Sequence, residues 1–386
     1  MTQHSGTEAG TGFDGVWRVP DAWVTSGRIP GYAAAVRIGG QVRSRAGGQT
    51  AVEPGRPPMR EDTLFRIASI TKTVGAALVL SLVQDGVLGL DDPVARWLPE
   101  AASPRVLTDP DGPLDRTGPA RRPVTLRHLL TMTSGWGAVL ERTPLQAAML
   151  EQGVYPGPLT PPMSADEFVA RVAALPLAFQ PGEGWLYDTG MDLAGILAAR
   201  AAGRALSDLL AERITGPLGM TSTGFVAADP GRLATAYRPG PAGLEVLDPP
   251  DGAFARAPHF EELSSGLVST APDLLRFFGA LADGGEPVLT GRSVALMTAD
   301  GLSGAQRRQA LPILGPGRSW GLGTAVDIEA AEPWMAPGRW GWDGGTGTTA
   351  RVDPVPGTVG VLLTQRAMTG PLDGFDDFWA AVAAAA

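Results

Sequence analysis

Ser69 and Lys72, set three residues apart, are the pair best suited to chemistry in this 386-residue sequence. On a helix that spacing puts both side chains on one face. A helix start offers free N–H groups and a partial positive charge, which stabilises an oxyanion and helps keep a nearby lysine neutral. A neutral lysine can take the proton of a serine hydroxyl and make it a nucleophile. Lys72 is the single lysine, and the other 30 basic residues are arginine. Coding from GC-rich DNA replaces lysine by arginine wherever a fixed charge is enough. Arginine does not lose its proton in a protein, whereas lysine does when its site lowers its pKa. The alternative is an ordinary N-cap serine followed by an exposed first-turn lysine. Against it stands the segment that carries the pair. Ser69 to Asp85 is apolar on nearly every side, as a core helix is, and Asp85-Gly86 ends it.

Two other constellations compete. Gly317-Arg318-Ser319-Trp320-Gly321 matches the GxSxG pattern, but that pattern works on a strand–turn–helix elbow. Here a Pro-Gly loop precedes it and strand-like sequence follows. A Ser-His-Asp triad needs a histidine. His4 lies in the polar N-terminus, His128 in a helical pattern, and His259 in a loop that could line a cleft. Three scattered histidines and no cysteine give no metal site and no disulfide, so no metal or cofactor is expected.

The elements that must position these groups follow from periodicity. A helix is expected over 14–27, then a hairpin of Gly31–Arg37 and Gln41–Ala46 about Gly39-Gly40. The Pro-rich stretch 53–60 and the aperiodic stretch 101–123 read as loops. Helical patterns cover Thr125–Thr131, Ala165–Leu175, Met191–Ala202, Ala205–Ile214 and Pro272–Asp283. Strand patterns cover Trp320–Asp327, Thr348–Asp353 and Thr358–Gln365, and a helix over Phe375–Ala385 follows. Strands at both ends with helices between point to one sheet built from both termini. The fold class is therefore α/β (α+β): an antiparallel sheet flanked by helices, from residues 1–75 and 255–386, plus a mainly helical domain over 76–254. The site is expected in the cleft between them.

With 44% hydrophobic residues the chain has ample material for a core. The net charge of −9 argues against nucleic acid as a partner. No apolar run reaches a membrane-spanning length. The first residues, MTQHSGTEAGTG, lack a basic-then-apolar leader, so a cytoplasmic setting is expected. The oligomeric state stays open.

The segment LFRIASITKTVGAALVLSLVQDGVLGLDDPVARWLP (64–99) resembles the first active-site motif of the serine β-lactamase and penicillin-binding-protein superfamily. It is most similar to the class C β-lactamase branch, which also holds esterases, D-aminopeptidases and acyltransferases. VTLRHLLTMTSGW (124–136), GEGWLYDTGMDLAGIL (182–197), ITGPLGMTSTGF (214–225), SSGLVSTAPDLLRFFGAL (264–281) and WGWDGGTGTTARVDP (340–354) extend the likeness in order, from about residue 15 onward.

The resemblance implies a role for Tyr187 as the phenol beside Ser69 and Lys72, relaying the serine proton to the leaving group. Without the flanking pattern it reads as a core aromatic. Thr189 stands where the family often has Asn, as a hydroxyl able to bond Lys72 or substrate. Trp342-Asp343-Gly344 fills the third motif, usually Lys-Thr-Gly or His-x-Gly. Gly344 would let backbone approach substrate. The N–H groups of Ser69 and Gly345 would form the oxyanion hole. Trp342 removes the cation that binds a substrate carboxylate, as in esterases similar to this sequence, and would form an aromatic wall. Arg351 could supply that charge if it points inward.

These expectations describe a serine hydrolase acting on a small-molecule ester, or amide, through a Ser69 acyl-enzyme. A β-lactamase, D-amino-acid peptidase or acyltransferase is the alternative within the superfamily. A non-catalytic penicillin-recognising sensor is the alternative outside enzymes.

Overall fold

A computed structural model describes residues 12–386 except Pro54; His4 lies outside that range. Seven strands form one antiparallel sheet. They are β1 Gly31–Ile38, β2 Gln41–Gly48, β3 Arg318–Trp320, β4 Ala325–Asp327, β5 Trp340–Gly344, β6 Thr348–Asp353 and β7 Thr358–Thr364. Their spatial order is β2-β1-β7-β6-β5-β4-β3. The N-terminal hairpin joins the C-terminal strands through β1 and β7, with Tyr32 opposite Thr364 and Arg37 opposite Val359. One sheet is thus made from both ends of the chain.

Five helices matter for the site: α1 Gly12–Thr25, α2 Ile70–Gln84, α3 Thr189–Ala202, α4 Ala271–Ala282 and α5 Asp376–Ala385. Side chains alternate across a strand, and the two faces of the sheet bury different partners. Ala33, Ala35, Ala350, Val352 and Val361 join α2, α3 and α4 in one large core. Tyr32, Ala34, Val36 and Leu362 join α1 and α5 in a smaller one. In α2 every residue from Ile70 to Leu82 is buried, so its all-round apolarity reflects a helix enclosed by protein. The large core continues without a break into the helical middle of the chain, through Met149, Phe168 and Leu209.

Three local differences from the sequence reading have clear causes. The stretch 101–123 is not all loop, since Arg105–Leu107 pairs with Thr117–Pro119. The pairing is three residues long, too short to imprint a period. Trp320–Asp327 is not one strand. It is β3 and β4, antiparallel about a turn where Gly323 has φ +78°. Finally, β5 has no strand-like composition because Gly341 and Gly344 interrupt it. A Cβ at Gly341 would sit 2.2 Å from the Ala350 carbonyl oxygen, so only glycine lets the strand pass there.

Candidate active site

The approach to α2 sets the position of Ser69. Arg66, buried, donates to Asp248 at 2.6 Å and to the Pro249 carbonyl at 2.7 Å. Thr346 Oγ1 donates to the Arg66 carbonyl at 2.6 Å, and Thr348 Oγ1 to the Ile67 carbonyl at 3.0 Å. The first two bonds anchor Arg66 at Asp248 and Pro249, and the last two tie the chain before Ser69 to the turn joining β5 and β6. Ala68 then takes φ +43°, a left-handed conformation costly for a residue with a side chain. Ser69 itself is already helical (φ −66°, ψ −7°), and its hydroxyl makes no capping bond. The ordinary N-cap alternative therefore fails, and the hydroxyl is left for other work.

Lys72 is 0% exposed. Its Nζ donates to Ser69 Oγ at 3.0 Å and to the Ser264 carbonyl at 2.7 Å, and it pairs with the Asp188 carboxylate. An ammonium has three N–H donors, and here three acceptors take them. Burial pulls the Lys72 pKa down, but Asp188 and Tyr187 oppose this and hold it above the ordinary lysine value. This favours the ammonium form, which points a proton at the Ser69 oxygen, over the neutral amine considered from the sequence. The reason is Asp188, which the sequence reading passed over. It lies between Tyr187 and Thr189 at the start of α3 with φ +87°. That backbone conformation turns its carboxylate to Lys72, and no local sequence signal announces it.

Tyr187 lies beside the pair, its ring centroid 4.5 Å from Lys72 Nζ. The Trp342 indole N–H donates to its phenolic oxygen. Burial raises the phenol pKa; the Lys72 charge and hydrogen bonds with Ser69 and Trp342 oppose this without cancelling it. Edge-on contacts with Trp320 (5.7 Å between centroids) and Trp342 (5.9 Å) fix the ring. Two more carboxyls lie behind. Asp192 Oδ1 accepts from the Ser264 N–H at 2.8 Å, and Glu262 accepts from Ser265 Oγ at 2.5 Å. Burial, then Glu262 and Asp188, push the Asp192 pKa well up; burial likewise lifts Glu262 to about 7. Both shifts favour the protonated acids, while the Asp188 carboxylate is the one in contact with Lys72.

Ser69, Tyr187, Asp188, Ser265 and Gly345 open onto a cleft of about 490 Å³. Most of its wall is apolar, including Leu140, Pro156, Leu247, Ile313 and Met368, and its cation, Arg238, pairs with Glu245. Ser69 and Gly345 both line this cleft, and neither backbone N–H donates to a protein acceptor among the described residues.

Other expected contacts lie elsewhere. Trp342 is 5% exposed and stands behind the phenol, so it supports Tyr187 instead of forming a cleft wall. Gly344 does not line the cleft. A Cβ there would lie 2.3 Å from the Ile67 carbonyl oxygen, so its smallness seats β5 against the chain before Ser69. Thr189 is buried with its hydroxyl unpartnered and does not bond Lys72; Asp188 takes that place. Arg351 points to the opposite face of the sheet, near Trp334 and Trp379, because its neighbours Ala350 and Val352 fill the face toward α2. His259 is exposed and off the cleft wall, and the His128 side chain caps its own helix. Ser319 is buried on edge strand β3 and donates to Asp300, with no helix after it. No cluster of metal-ligating residues occurs among the described residues. No helix among them is long and apolar enough to cross a membrane.

The sequence profile of the Beta-lactamase family matches residues 15–385. The chain belongs to that family. It is 38% identical over 369 residues to Esterase EstB of Burkholderia gladioli, covering 89% of each chain. It is 30% identical over 388 residues to Lovastatin esterase of Penicillium rubens, covering 92% of each. Among solved structures it resembles EstCE1, a hydrolase with promiscuous acyltransferase activity. That likeness has a TM-score of 0.82 and 26% identity, over 96% of this chain and 98% of that one. The β-lactamase-type α/β fold expected from the motifs is therefore present, and the chain is a serine-hydrolase-class enzyme of the esterase-type branch.

Proposed function

We propose that this enzyme hydrolyses neutral carboxylic esters through a Ser69 acyl-enzyme. The observation that carries this reading is a serine hydroxyl bonded by a buried ammonium at the floor of a mainly apolar cleft. Ser69 Oγ attacks the ester carbonyl and forms the new C–O bond. The carbonyl electron pair moves to oxygen, which the free N–H groups of Ser69 and Gly345 receive. The serine proton passes to Tyr187 in its phenolate form, stabilised by the Lys72 charge and the Trp342 N–H. Collapse expels the alkoxide, which takes that proton back from Tyr187. Water then repeats the sequence on the acyl-enzyme and restores Ser69. Lys72 acts as a fixed charge, with Asp188 as the group that positions it. An alcohol in place of water would give acyl transfer by the same steps, and the acyltransferase activity named for EstCE1 favours keeping that second reading.

The mainly apolar cleft wall, whose Arg238 is already paired with Glu245, supports esters over β-lactams or D-amino-acid peptides. The test compares turnover of nitrophenyl butyrate, nitrocefin and a D-Ala-D-Ala peptide. Intact mass after a phosphonate probe is read in parallel for wild type and Ser69→Ala. Ester turnover that exceeds the other two, with the mass shift lost in Ser69→Ala, is expected. Preferred turnover of nitrocefin would replace the ester reading by the lactamase one. Labelling that persists in Ser69→Ala would move the nucleophile elsewhere.

A further inference from the structure

The opposite face of the sheet holds a second cavity, of about 120 Å³, between β3, β6 and the start of α5. Apolar cavities near this size hold molecules of about six heavy atoms. Its lining is polar at both ends. Inside lies Arg351, 1% exposed, with Nη2 donating to Asp343 at 2.7 Å and with Nε and Nη1 lacking a partner among the described residues. Arg318 Nε, at the same wall, lies 3.4 Å from Asp327 Oδ1. The N-terminus of α5 opens onto the cavity, and its N-cap, Phe375, supplies no side-chain bond to the first-turn amides. Guanidinium N–H groups without acceptors and an uncapped helix start together call for a carboxylate-sized anion. At the mouth stand Glu332 and Asp376, neither in an ion pair among the described residues. Burial pushes the Asp376 pKa up, with Arg318 and Arg351 opposing it and Glu332 and Asp343 adding to it.

We infer that this pocket binds a small α-amino acid. The carboxylate accepts from Arg351 and the α5 amides, the ammonium faces Asp376 and Glu332, and a short side chain rests against Leu372 and Met335. A simple anion would leave the two mouth carboxylates unanswered, and a simple amine would leave Arg351 unanswered. The site is independent of ester chemistry, so Ser69→Ala must retain it.

The test is thermal unfolding and titration calorimetry of the full chain with glycine, L-alanine and D-alanine, against acetate and ethylammonium. At about ten times its Kd, an amino acid is expected to raise the Tm by about 2 °C, with acetate and ethylammonium giving no shift at the same concentration. Arg351→Gln should abolish the effect. Because that buried change can impair folding, the exposed variants Asp376→Asn and Glu332→Gln provide the second reading. Each should weaken binding about tenfold, the order expected for one charge-assisted bond, while nitrophenyl butyrate turnover stays unchanged. No shift with any amino acid, a shift of equal size with acetate, or undiminished binding in Asp376→Asn would each overturn the proposal.

Discussion

The two faces of the sheet bury charge in opposite ways. Toward α2, one ammonium meets three acceptors, two nearby carboxyls are pushed toward their neutral forms, and the resulting ion pair is closed. Toward α5, Arg318, Arg339 and Arg351 surround Asp327, which pairs with Arg318 at 3.4 Å but has no hydrogen-bond partner on either carboxylate oxygen among the described residues. Burial pulls Arg339 down to about 9, and its Nη1 donates to the Trp334 carbonyl, with no carboxylate in an ion pair with it among the described residues. Instead it is stacked between Trp334 and Trp379 at 4.5 Å from each. Buried charge repays its desolvation only when geometry is good and every proton finds an acceptor. The first face meets that condition and presents a fixed electrostatic environment, as catalysis requires. The second leaves donors and acceptors open, as a ligand pocket does.

The comparison can be broken most sharply at the phenol. Tyr187→Phe is expected to lower kcat by about 10²–10³-fold. The wild-type rate should rise with pH toward a phenol pKa held above its ordinary value by burial, and that alkaline rise should vanish in the variant. A pH–rate profile with unchanged alkaline rise would return the base role to Lys72. Next in size is Asp188→Asn. It leaves the buried ammonium with neutral acceptors only, and denaturant unfolding should show a loss of about 3–5 kcal/mol, as when one partner of a buried pair is removed.

Glu262 sharpens the same point through pH. Its folded pKa, raised to about 7, means that the native state binds the extra proton. Its contribution is therefore full below the unfolded carboxyl pKa and is lost as pH rises through about 7. Glu262→Gln should flatten that decline and stabilise the protein at pH 8 by about 1–3 kcal/mol. The smallest effect is expected across the sheet. Arg339→Met should change stability by less than about 2 kcal/mol, because an apolar side chain of similar volume avoids the desolvation of an unpaired guanidinium. Ester turnover should not change. A large activity loss in Arg339→Met would show that the two faces are not separate.

Much of this was legible in the sequence. The apolar helix after Ser69, the lone lysine one turn on, the hairpin of β1 and β2, and the strand patterns of β6 and β7 are local signals, and each produced its element. The presence of a phenol near the pair came only through the motif containing Tyr187, since no local property of the sequence joins residues 69 and 187. Asp188 had no signal at all. Its reach to Lys72 depends on a positive φ that a sequence of this composition does not announce. The condition set for Arg351, an inward-pointing side chain, depended on sheet register, and Trp342 lies on the site face but behind Tyr187, a depth no local pattern shows.

By itself, then, the sequence determined the residue types able to act as nucleophile, cation and phenol, and the local elements carrying the first two. Tertiary structure decided which acceptors meet Lys72, the backing of Tyr187 by Trp342 and the placement of Arg351 on the far face. A pKa is set by every group within a few ångströms, and those groups come from helix α2, the start of α3 and the segment around Ser264, which is 192 residues from Lys72 in the chain. Periodicity along the sequence carries no information about that meeting.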